Sequence, residues 1–326
     1  KLLASTNICS REWVFKQYDR QVQNNSILES SDNSAALIRV RDKNGNLTKK
    51  GVAISTDCNS RFTYLDPYKG AKLAVYEAAR NIACTGATPV AVTNNLNFAN
   101  PEKPEIFWQL KEATKGMSEA CTELNTPVTG GNVSLYNEMN SIPIFPTPLI
   151  GMVGLIEDVN KAVTTSFKNT GDVVILLGET KNDLGGSEYL KTIHNIVEGQ
   201  VPTINVEKEK ALQQFCINSI NEGLLNSCAD ISDGGLLVAL SECCIKGNKG
   251  VFLEESICNL TNRIDSSLFA ETPSRALISV SVENLEKIQK VIDNYTLTSK
   301  VIGEVQDDYI EIKGTSLKLN IDEAKD

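Results

Sequence analysis

Residues 126–138 read TPVTGGNVSLYNE, an apolar, strand-like lead-in that opens into glycines and small polar side chains. Gly130 and Gly131 are able to adopt positive φ and to let backbone N–H groups approach phosphate oxygens closely. Asn132 and Ser134 add a neutral oxygen ligand and a hydroxyl. The stretch predicts a loop that holds a phosphorylated ligand. A plain turn is the alternative, because glycine pairs often follow strands without binding anything.

A helix with clear ends is predicted upstream, at residues 66–89, which read DPYKGAKLAVYEAARNIACTGATP. Apolar residues recur there at helical spacing, Gly86 occupies the position of a left-handed C-terminal cap, and a proline three residues later blocks continuation. Glu77 and Asn81 lie four residues apart, so both project from one helix face and could share a hard cation. Pairing of Glu77 with Arg80, and an ordinary exposed amide at Asn81, remain the alternative.

A short strand, a polar turn and an apolar helix are predicted at residues 228–240, which read CADISDGGLLVAL. The N-terminus of a helix favours phosphate through its dipole and its unpaired N–H groups. Asp230 and Asp233 would repel phosphate unless a divalent cation bridges them, and Asp233 is equally suited to be the N-cap. Asp57 likewise follows a predicted strand, at the end of the segment 51–57.

These segments, in this order, resemble one enzyme family. Residues 57–137, which include Glu77 and the glycine stretch, strongly resemble the second half of phosphoribosylformylglycinamidine synthase, the amidotransferase of purine biosynthesis. The likeness continues through NPEKPEIFW at 100–108, LGGSEYL at 184–190 and DISDGGL at 230–236, and so covers nearly the whole chain. The wider PurM-like superfamily also contains aminoimidazole ribonucleotide synthetase, selenophosphate synthetase, thiamine-monophosphate kinase and the hydrogenase maturation dehydratase. All of these use ATP to activate an oxygen.

The resemblance implies an α+β fold, an α/β sandwich of two PurM-like domains. It places a connector helix at residues 1–30, an N-terminal domain at 31–160 and a C-terminal domain at 165–326. The first domain would contribute strands to a barrel that a partner domain completes. Hydrophobic patterns predict helices at residues 7–18, 105–125, 187–197, 206–223 and 283–293, and strands at 148–156, 173–177 and 275–282.

The resemblance implies two nucleotide sites, of which the first is non-catalytic in the larger enzymes. There, magnesium (Mg2+) accompanies ATP or ADP and is held by residues that match Asp57, Glu77, Asn81 and Asp230. Ser232 matches a residue near the phosphates. All five positions are intact in this chain.

The second implied site is catalytic and lies across a domain interface. Nucleotide contacts there match Asn94 and Gly131, a metal ligand matches Asn132, and a substrate contact matches Ser134. Asn94 departs from the acid that is usual in the family. An amide accepts a hydrogen bond from the adenine amino group more weakly than a carboxylate does, which puts nucleotide affinity or selectivity at that point in doubt.

The family's catalytic histidine lies in the first half of the enzyme, whereas the single histidine here, His194, lies far from the motifs. His194 is predicted to be a surface or packing residue, so this half is expected to hold no catalytic residue and to be inactive alone. In the resembled ligase, ATP phosphorylates the amide oxygen of formylglycinamide ribonucleotide, and ammonia then displaces phosphate to leave formylglycinamidine ribonucleotide.

The implied partners are the first half of the enzyme, a glutaminase subunit that supplies ammonia, and a small accessory subunit. Two copies of the first domain could also pair as a homodimer in place of the intact arrangement. Two other functions stay open: a stand-alone ATP-dependent phosphotransferase of the same superfamily, and a nucleotide-binding module without turnover.

Composition excludes two further classes of function. The 326 residues carry a net charge of −9, so no basic stripe is present to neutralise a nucleic-acid backbone, and no apolar run is long enough to span a membrane. The nine cysteines are odd in number and lie mostly in apolar segments, which indicates reduced thiols in a cytoplasmic protein. Cys243 and Cys244 point to different faces of a predicted helix and are interpreted as packing residues.

Overall fold

The computed structural model of the chain describes residues 1–18, 21–29 and 33–325. Two large sheets with helices packed against them confirm the α+β sandwich expected from the sequence. The strands are β1 (Ser26–Leu28), β2 (Ala36–Arg41), β3 (Leu47–Asp57), β4 (Thr88–Asn97), β5 (Val128–Ser134), β6 (Glu138–Met139), β7 (Ile142–Pro143), β8 (Thr147–Ile156), β9 (Val173–Leu177), β10 (Ser227–Asp230), β11 (Gly250–Leu253), β12 (Ala276–Val280), β13 (Ser299–Gln306), β14 (Tyr309–Ile312) and β15 (Lys318–Asn320). The α-helices are α1 (Glu12–Phe15), α2 (Ser60–Leu65), α3 (Pro67–Ala83), α4 (Pro104–Leu124), α5 (Val206–Asn221), α6 (Gly235–Gly247), α7 (Ile264–Phe269), α8 (Leu285–Asn294) and α9 (Ile321–Lys325).

The first sheet has the strand order β1-β2-β3-β8-β4-β5. Its pairs are antiparallel except β4 and β5, which run parallel. One face packs under α3 and α4 and buries Leu37, Val92 and Met152. The opposite face leaves apolar side chains such as Ile38 and Leu155 exposed, at 39% and 50%. Within the described residues this sheet is open and has β5 at one edge.

The second sheet has the order β10-β12-β9-β13-β11-β14-β15 and carries helices on both faces. Its strand β9 is apolar throughout because successive side chains enter different cores. Val174 packs in the core that contains Leu236 of α6, and Ile175 packs in the core that contains Phe215 of α5. Helix α5 also contacts α3, so it lies between the second sheet and the helices of the first.

Helix α3 lies within the segment that the sequence predicted to be helical, and its N-terminus is fixed by a cap that the sequence analysis did not name. Asp66 is the N-cap and accepts a hydrogen bond from the Lys69 N–H at 3.0 Å, while Pro67 takes the first helical position. Gly86 follows the helix with a φ of +90°. A Cβ on Gly86 would lie 2.6 Å from Ile220 Cγ2 in α5, so this glycine also allows the two layers to approach closely.

Two predicted helices are shorter than expected. The amphipathic pattern at residues 7–18 yields only the single turn α1, in which Trp13 is 73% exposed. Because α1 buries none of its residues, its apolar side chains gain no packing that would support a longer helix. The pattern at residues 187–197 yields a five-residue π-helix at Leu190–His194. In the described part of the chain the predicted connector helix is therefore not continuous.

The crossing of α3 and α4 generates a stability prediction. An alanine Cβ at Gly116 would lie 2.0 Å from the Tyr68 carbonyl oxygen, which belongs to the α3 backbone and cannot rotate away. We expect Gly116→Ala to lower the free energy of unfolding by about 1–3 kcal/mol, the usual cost of overpacking, although alanine is the better helix former. Urea unfolding measures this change. The control Ser118→Ala changes an exposed position of the same helix, and equal unfolding free energies for both variants would contradict the prediction.

Candidate functional site

Three of the predicted acids meet where the two sheets and α3 come together. Asp57 ends β3, Asp230 ends β10, and Glu77 projects from the middle of α3. Glu77 and Asp57 lie close enough for each carboxyl group to shift the pKa of the other. The guanidinium Nη2 of Arg80 lies 3.9 Å from Glu77 Oε2 and 3.7 Å from Asp230 Oδ2. The structure therefore brings together carboxylates that are far apart in the sequence.

These carboxylates are crowded and poorly solvated. Burial, followed by the charges of Glu77, Asp233 and Asp230, raises the pKa of Asp57 well above its usual range. Burial and the Asp230 charge raise the pKa of Glu77 to about 8. Burial also raises the pKa of Asp230 to about 6, although Arg80 opposes the shift. The cluster thus resists full ionisation in the absence of a counter-charge.

The donor set of this cluster fits a hard divalent cation. Oδ2 of Asp57 and Oδ2 of Asp230 are both buried without a hydrogen-bond partner. Such orphaned oxygens are costly in a protein interior, and carboxylate and amide oxygens are the ligands that Mg2+ takes. Asn81 is half-buried in α3, one turn beyond Glu77, and so offers an amide oxygen from the same helix.

Arg80 anchors this cluster to α5. The Arg80 side chain is almost fully buried, and its Nη1 atom donates to both carboxylate oxygens of Glu209 at 3.0 Å. Glu209 also accepts from Gln213 Nε2 at 2.9 Å. Because the guanidinium is committed to Glu209, it neutralises Glu77 and Asp230 only from a distance.

The turn after β10 differs from the prediction at Asp233. Helix α6 begins at Gly235, and Gly234, with a φ of +79°, is its N-cap without a side-chain bond. Asp233 is therefore not the N-cap. Its Oδ1 atom accepts from Asn59 Nδ2 at 3.2 Å and lies 3.9 Å from Arg61 Nη2. Asp233 thus links the second sheet to α2 of the first layer.

The N-terminus of α6 is occupied by a carboxyl side chain of the protein itself, whose pKa burial raises well above its usual range. Glu271 Oε1 accepts from the Gly234 N–H at 2.8 Å and from the Glu188 N–H at 2.7 Å. Glu188 in turn pairs with Arg61 at 2.8 Å. Sequence reasoning missed Glu271 because it lies 37 residues from Gly234 and carries no motif.

The glycine stretch is not the predicted loop. Gly130 and Gly131 lie inside β5, and neither has a positive φ. The stretch is extended because its backbone pairs in parallel with β4. Gly131 is instead in close contact with the neighbouring strand, since a Cβ there would lie 2.1 Å from Asn94 Oδ1 and 2.9 Å from the Asn94 backbone oxygen, whereas a Cβ on Gly130 would meet nothing within 4 Å. The Nδ2 atom of Asn94 lies 3.5 Å from the sulfur of Met117.

The remaining predicted polar residues line the exposed edge strand. Asn132 Nδ2 donates to Asn95 Oδ1 at 3.0 Å on the neighbouring strand. The Ser134 hydroxyl lies 3.3 Å from Asn137 Oδ1. Asn132 is exposed and Ser134 half-buried, so both are open to a molecule that approaches this edge of the sheet.

Members of both groups of predicted residues lie in one row across the first sheet. Asp57 pairs with Ile150, Ile150 pairs with Asn94, and Asn94 pairs with Gly131. Three strand spacings separate Asp57 from Gly131, which is about 14 Å. Ile150 is fully buried between them. The acid cluster and the β5 edge are therefore two separate places on the same sheet.

His194 is exposed, as predicted, and contacts the ring of Tyr189 edge-on at 5.3 Å. A feature that sequence reasoning missed is the meeting of three cysteines, Cys84, Cys216 and Cys228, in the interior. Sequence spacing offered no signal for it, because the three belong to α5, β10 and the end of α3. No helix in the described ranges has both the length and the apolar character needed to cross a membrane.

Two family models match the chain in succession. Residues 32–156 match the AIR synthase related protein, N-terminal domain, and residues 169–313 match the AIR synthase related protein, C-terminal domain. The chain belongs to the AIR synthase related family. Each of the two matched domains of this family coincides with one of the two large sheets.

Two relatives in this family share a name. The phosphoribosylformylglycinamidine synthase subunit PurL of Alkaliphilus metalliredigens is 47% identical over 305 residues, which are 94% of this chain and 40% of that protein. The subunit of the same name from Cyanothece sp. is 49% identical in an alignment of 298 residues. The alignment covers 86% of this chain and 38% of that protein. The chain thus spans about two-fifths of the length of these relatives.

Solved structures of similar fold include Thermotoga maritima PurL complexed with FGAR, with a TM-score of 0.73, 17% identity, and coverage of 93% of this chain and 47% of that one. The same protein complexed with ATP has a TM-score of 0.71 and 16% identity, with coverage of 96% and 49%. A HypE–HypF complex gives a TM-score of 0.64 at 17% identity and covers 95% of this chain and 96% of that one. At these identities the likeness establishes the AIR synthase related fold.

The Arg80–Glu209 pair generates a second stability prediction. We expect Arg80→Met to lower the free energy of unfolding by about 3–5 kcal/mol, because Glu209 is left buried and charged without its partner. The double variant Arg80→Met/Glu209→Met should regain much of that loss. Thermal and urea unfolding measure both.

A matched control tests whether burial causes the effect. Lys50→Met removes a cation that pairs with Glu157 at 3.0 Å while both side chains are largely exposed. It should change the free energy of unfolding by less than about 1 kcal/mol. A double variant that is no more stable than Arg80→Met alone would contradict the interpretation.

Proposed function

We propose that this chain is the C-terminal half of an ATP-dependent carbon–nitrogen ligase, phosphoribosylformylglycinamidine synthase. The complete enzyme would convert formylglycinamide ribonucleotide, ATP and ammonia from glutamine into formylglycinamidine ribonucleotide in de novo purine biosynthesis. The observation that carries this proposal is the 47% identity over 94% of the chain to a PurL subunit. We propose the divisions 1–30, 31–160 and 165–326 for the connector and the two domains.

The acid cluster is proposed to be the first nucleotide site, where Asp57, Glu77, Asn81 and Asp230 would hold Mg2+ with ATP or ADP. When bound, magnesium supplies positive charge that neutralises the phosphates. The chain's own carboxyl groups would hold the ion. Oδ2 of Asp57, at the end of a strand of the first sheet, and Oδ2 of Asp230, at the end of a strand of the second, are both buried without a hydrogen-bond partner. The Ser232 hydroxyl, which hydrogen-bonds Asp230, lies where the phosphates would approach. Glu271 occupies the N-terminus of α6, so phosphate contacts here would depend on the cation and Ser232.

The β5 edge is proposed to be the second, catalytic site. Asn94 and Gly131 would contact nucleotide, Asn132 would ligate a metal, and Ser134 would contact the ribonucleotide substrate. Two observations support this assignment: Gly131 carries no side chain that would block a ligand, and Asn132 is exposed. The Asn94 amide would accept from an adenine amino group more weakly than an acid does, so we expect a lower nucleotide affinity at this site than in relatives with an acid there.

The proposed reaction requires groups that other proteins would supply. The single histidine is remote from β5, so in the described residues no imidazole is available there for proton transfer. The first half of the enzyme would supply that group, a glutaminase subunit would supply ammonia, and a small accessory subunit would complete the assembly. The apolar outer face of the first sheet, with Ile54 38% and Leu155 50% exposed, would be covered by the first half or, in its absence, by a second copy of the chain.

Calorimetric titration tests the proposed magnesium site. We expect Glu77→Gln and Asp230→Asn each to weaken the binding of Mg-ADP by at least about tenfold, because each removes one charged ligand. The same substitutions should leave the unfolding temperature of the nucleotide-free chain unchanged or raise it, because each also removes like-charge repulsion. If Glu77 and Asp230 served only to stabilise the fold, both substitutions would lower the unfolding temperature.

Glu157→Gln is the matched control, since it neutralises a largely exposed acid outside the cluster. It should leave Mg-ADP affinity unchanged. The metal assignment is wrong if Glu77→Gln and Asp230→Asn bind Mg-ADP as tightly as the parent does.

Reconstitution tests the division of labour. The chain alone, given ammonia, ATP and formylglycinamide ribonucleotide, should form no amidine product, because it lacks the proton-transfer group. Activity should appear when the first half of a PurL relative is added. Ser134→Ala should then raise the KM for the ribonucleotide, whereas Ser118→Ala, on the exposed side of α4, should not. A robust rate from the chain alone would overturn the proposal.

A further inference from the structure

Three thiols from three separate elements meet in the interior of the molecule. Cys84 directly follows α3, Cys216 lies in α5, and Cys228 lies in β10. Their Sγ atoms all lie within 4.8 Å of one another, and those of Cys216 and Cys228 are 3.7 Å apart. Each side chain is at most 1% exposed. We call this group the thiol trio.

The distance between the Cys216 and Cys228 sulfurs is close to that between two sulfur ligands of one metal ion. A disulfide requires about 2.05 Å between sulfurs. Sulfurs that bind one ion at about 2.3 Å are instead about 3.8–4.0 Å apart in tetrahedral or trigonal geometry. The Cys216–Cys228 distance of 3.7 Å is close to that value.

We propose that Cys84, Cys216 and Cys228 form a three-thiolate site for a soft metal ion, for which monovalent copper is the best match. Thiolates are the ligands that select soft ions. Among the residues that the structure describes, no His, Asp or Glu joins the three sulfurs at ligand distance. Structural zinc takes four ligands, whereas Cu+ is satisfied by three.

Binding of copper to the trio requires no change of oxidation state. Each thiol that ligates the ion releases its proton to solvent and donates one electron pair, and copper stays monovalent throughout. No electron is transferred and no oxidant is required.

Burial determines how the ion would enter. Sulfurs that are at most 1% exposed are closed to ions in the folded chain, so the metal would be captured while α3, α5 and β10 assemble. Bound copper would then tie together the helix that carries Glu77 and the strand that carries Asp230. This inference does not depend on the proposed ligase function, because the trio uses none of the proposed magnesium or nucleotide ligands.

The test uses the full chain in a Cys9→Ser/Cys58→Ser background, which removes the two thiols that are not buried. The chain is unfolded in guanidinium with a phosphine reductant and refolded without oxygen, with either Cu+ or Zn2+. It is then passed over a desalting column that contains a copper(I) chelator. We expect about one copper per chain to be retained, little zinc, and a higher unfolding temperature with copper than without. A parallel sample is purified from copper-supplemented cells.

Cys216→Ala should lower copper retention by at least about tenfold, since two thiolates remain. The matched control is Cys243→Ala/Cys244→Ala, which removes two equally buried thiols outside the trio and should retain copper like the background chain. X-ray absorption at the copper edge of the background chain needs no substitution within the trio and should show three sulfur neighbours. Failure to retain copper in both samples, preferential retention of zinc, equal loss in the control, or a shell with nitrogen or oxygen would overturn the proposal.

Discussion

The buried ion pair between Arg80 and Glu209 is the interaction on which the two halves of the molecule depend. It joins α3, which packs on the first sheet, to α5, which packs on the second, at a point where both side chains are out of water. Since an unpaired charge there would be strongly destabilising, the fold favours the position of α3 relative to α5 that keeps the two side chains paired. That position sets Glu77 next to Asp230, and hence the geometry of the acid cluster.

The acid cluster and the N-terminus of α6 both bury carboxyl groups, but they differ in the donors that reach them. At the helix end, Glu271 Oε1 accepts from two backbone N–H groups, while its Oε2 is buried without a partner. In the cluster, Asp57 and Asp230 each keep an oxygen without a partner. Burial raises the pKa of all three carboxyl groups, and at the proposed site a cation would supply the missing partner to Asp57 and Asp230.

Sequence rules predicted a structural element correctly where the residues that determine it are neighbours in the chain. The predicted left-handed residue after α3, Gly86, has a φ of +90°, because this signal acts within one helical turn. The glycine stretch was wrongly predicted to be a loop because Gly131 is in close contact with Asn94 on the neighbouring strand and has no positive φ. Trp13 lies in an amphipathic pattern that forms only one helical turn, because no core receives its apolar face.

The sequence by itself determined the α+β class, the C-terminal end of α3 and the family resemblance, because hydrophobic period, capping chemistry and long ordered matches are all readable along the chain. The tertiary structure alone decided that Asp57, Glu77 and Asp230 converge, that Glu271 fills the end of α6, and that three cysteines meet in the interior. These contacts join residues that are up to 173 positions apart. Their partners are selected by how the layers pack, and no local pattern encodes that packing.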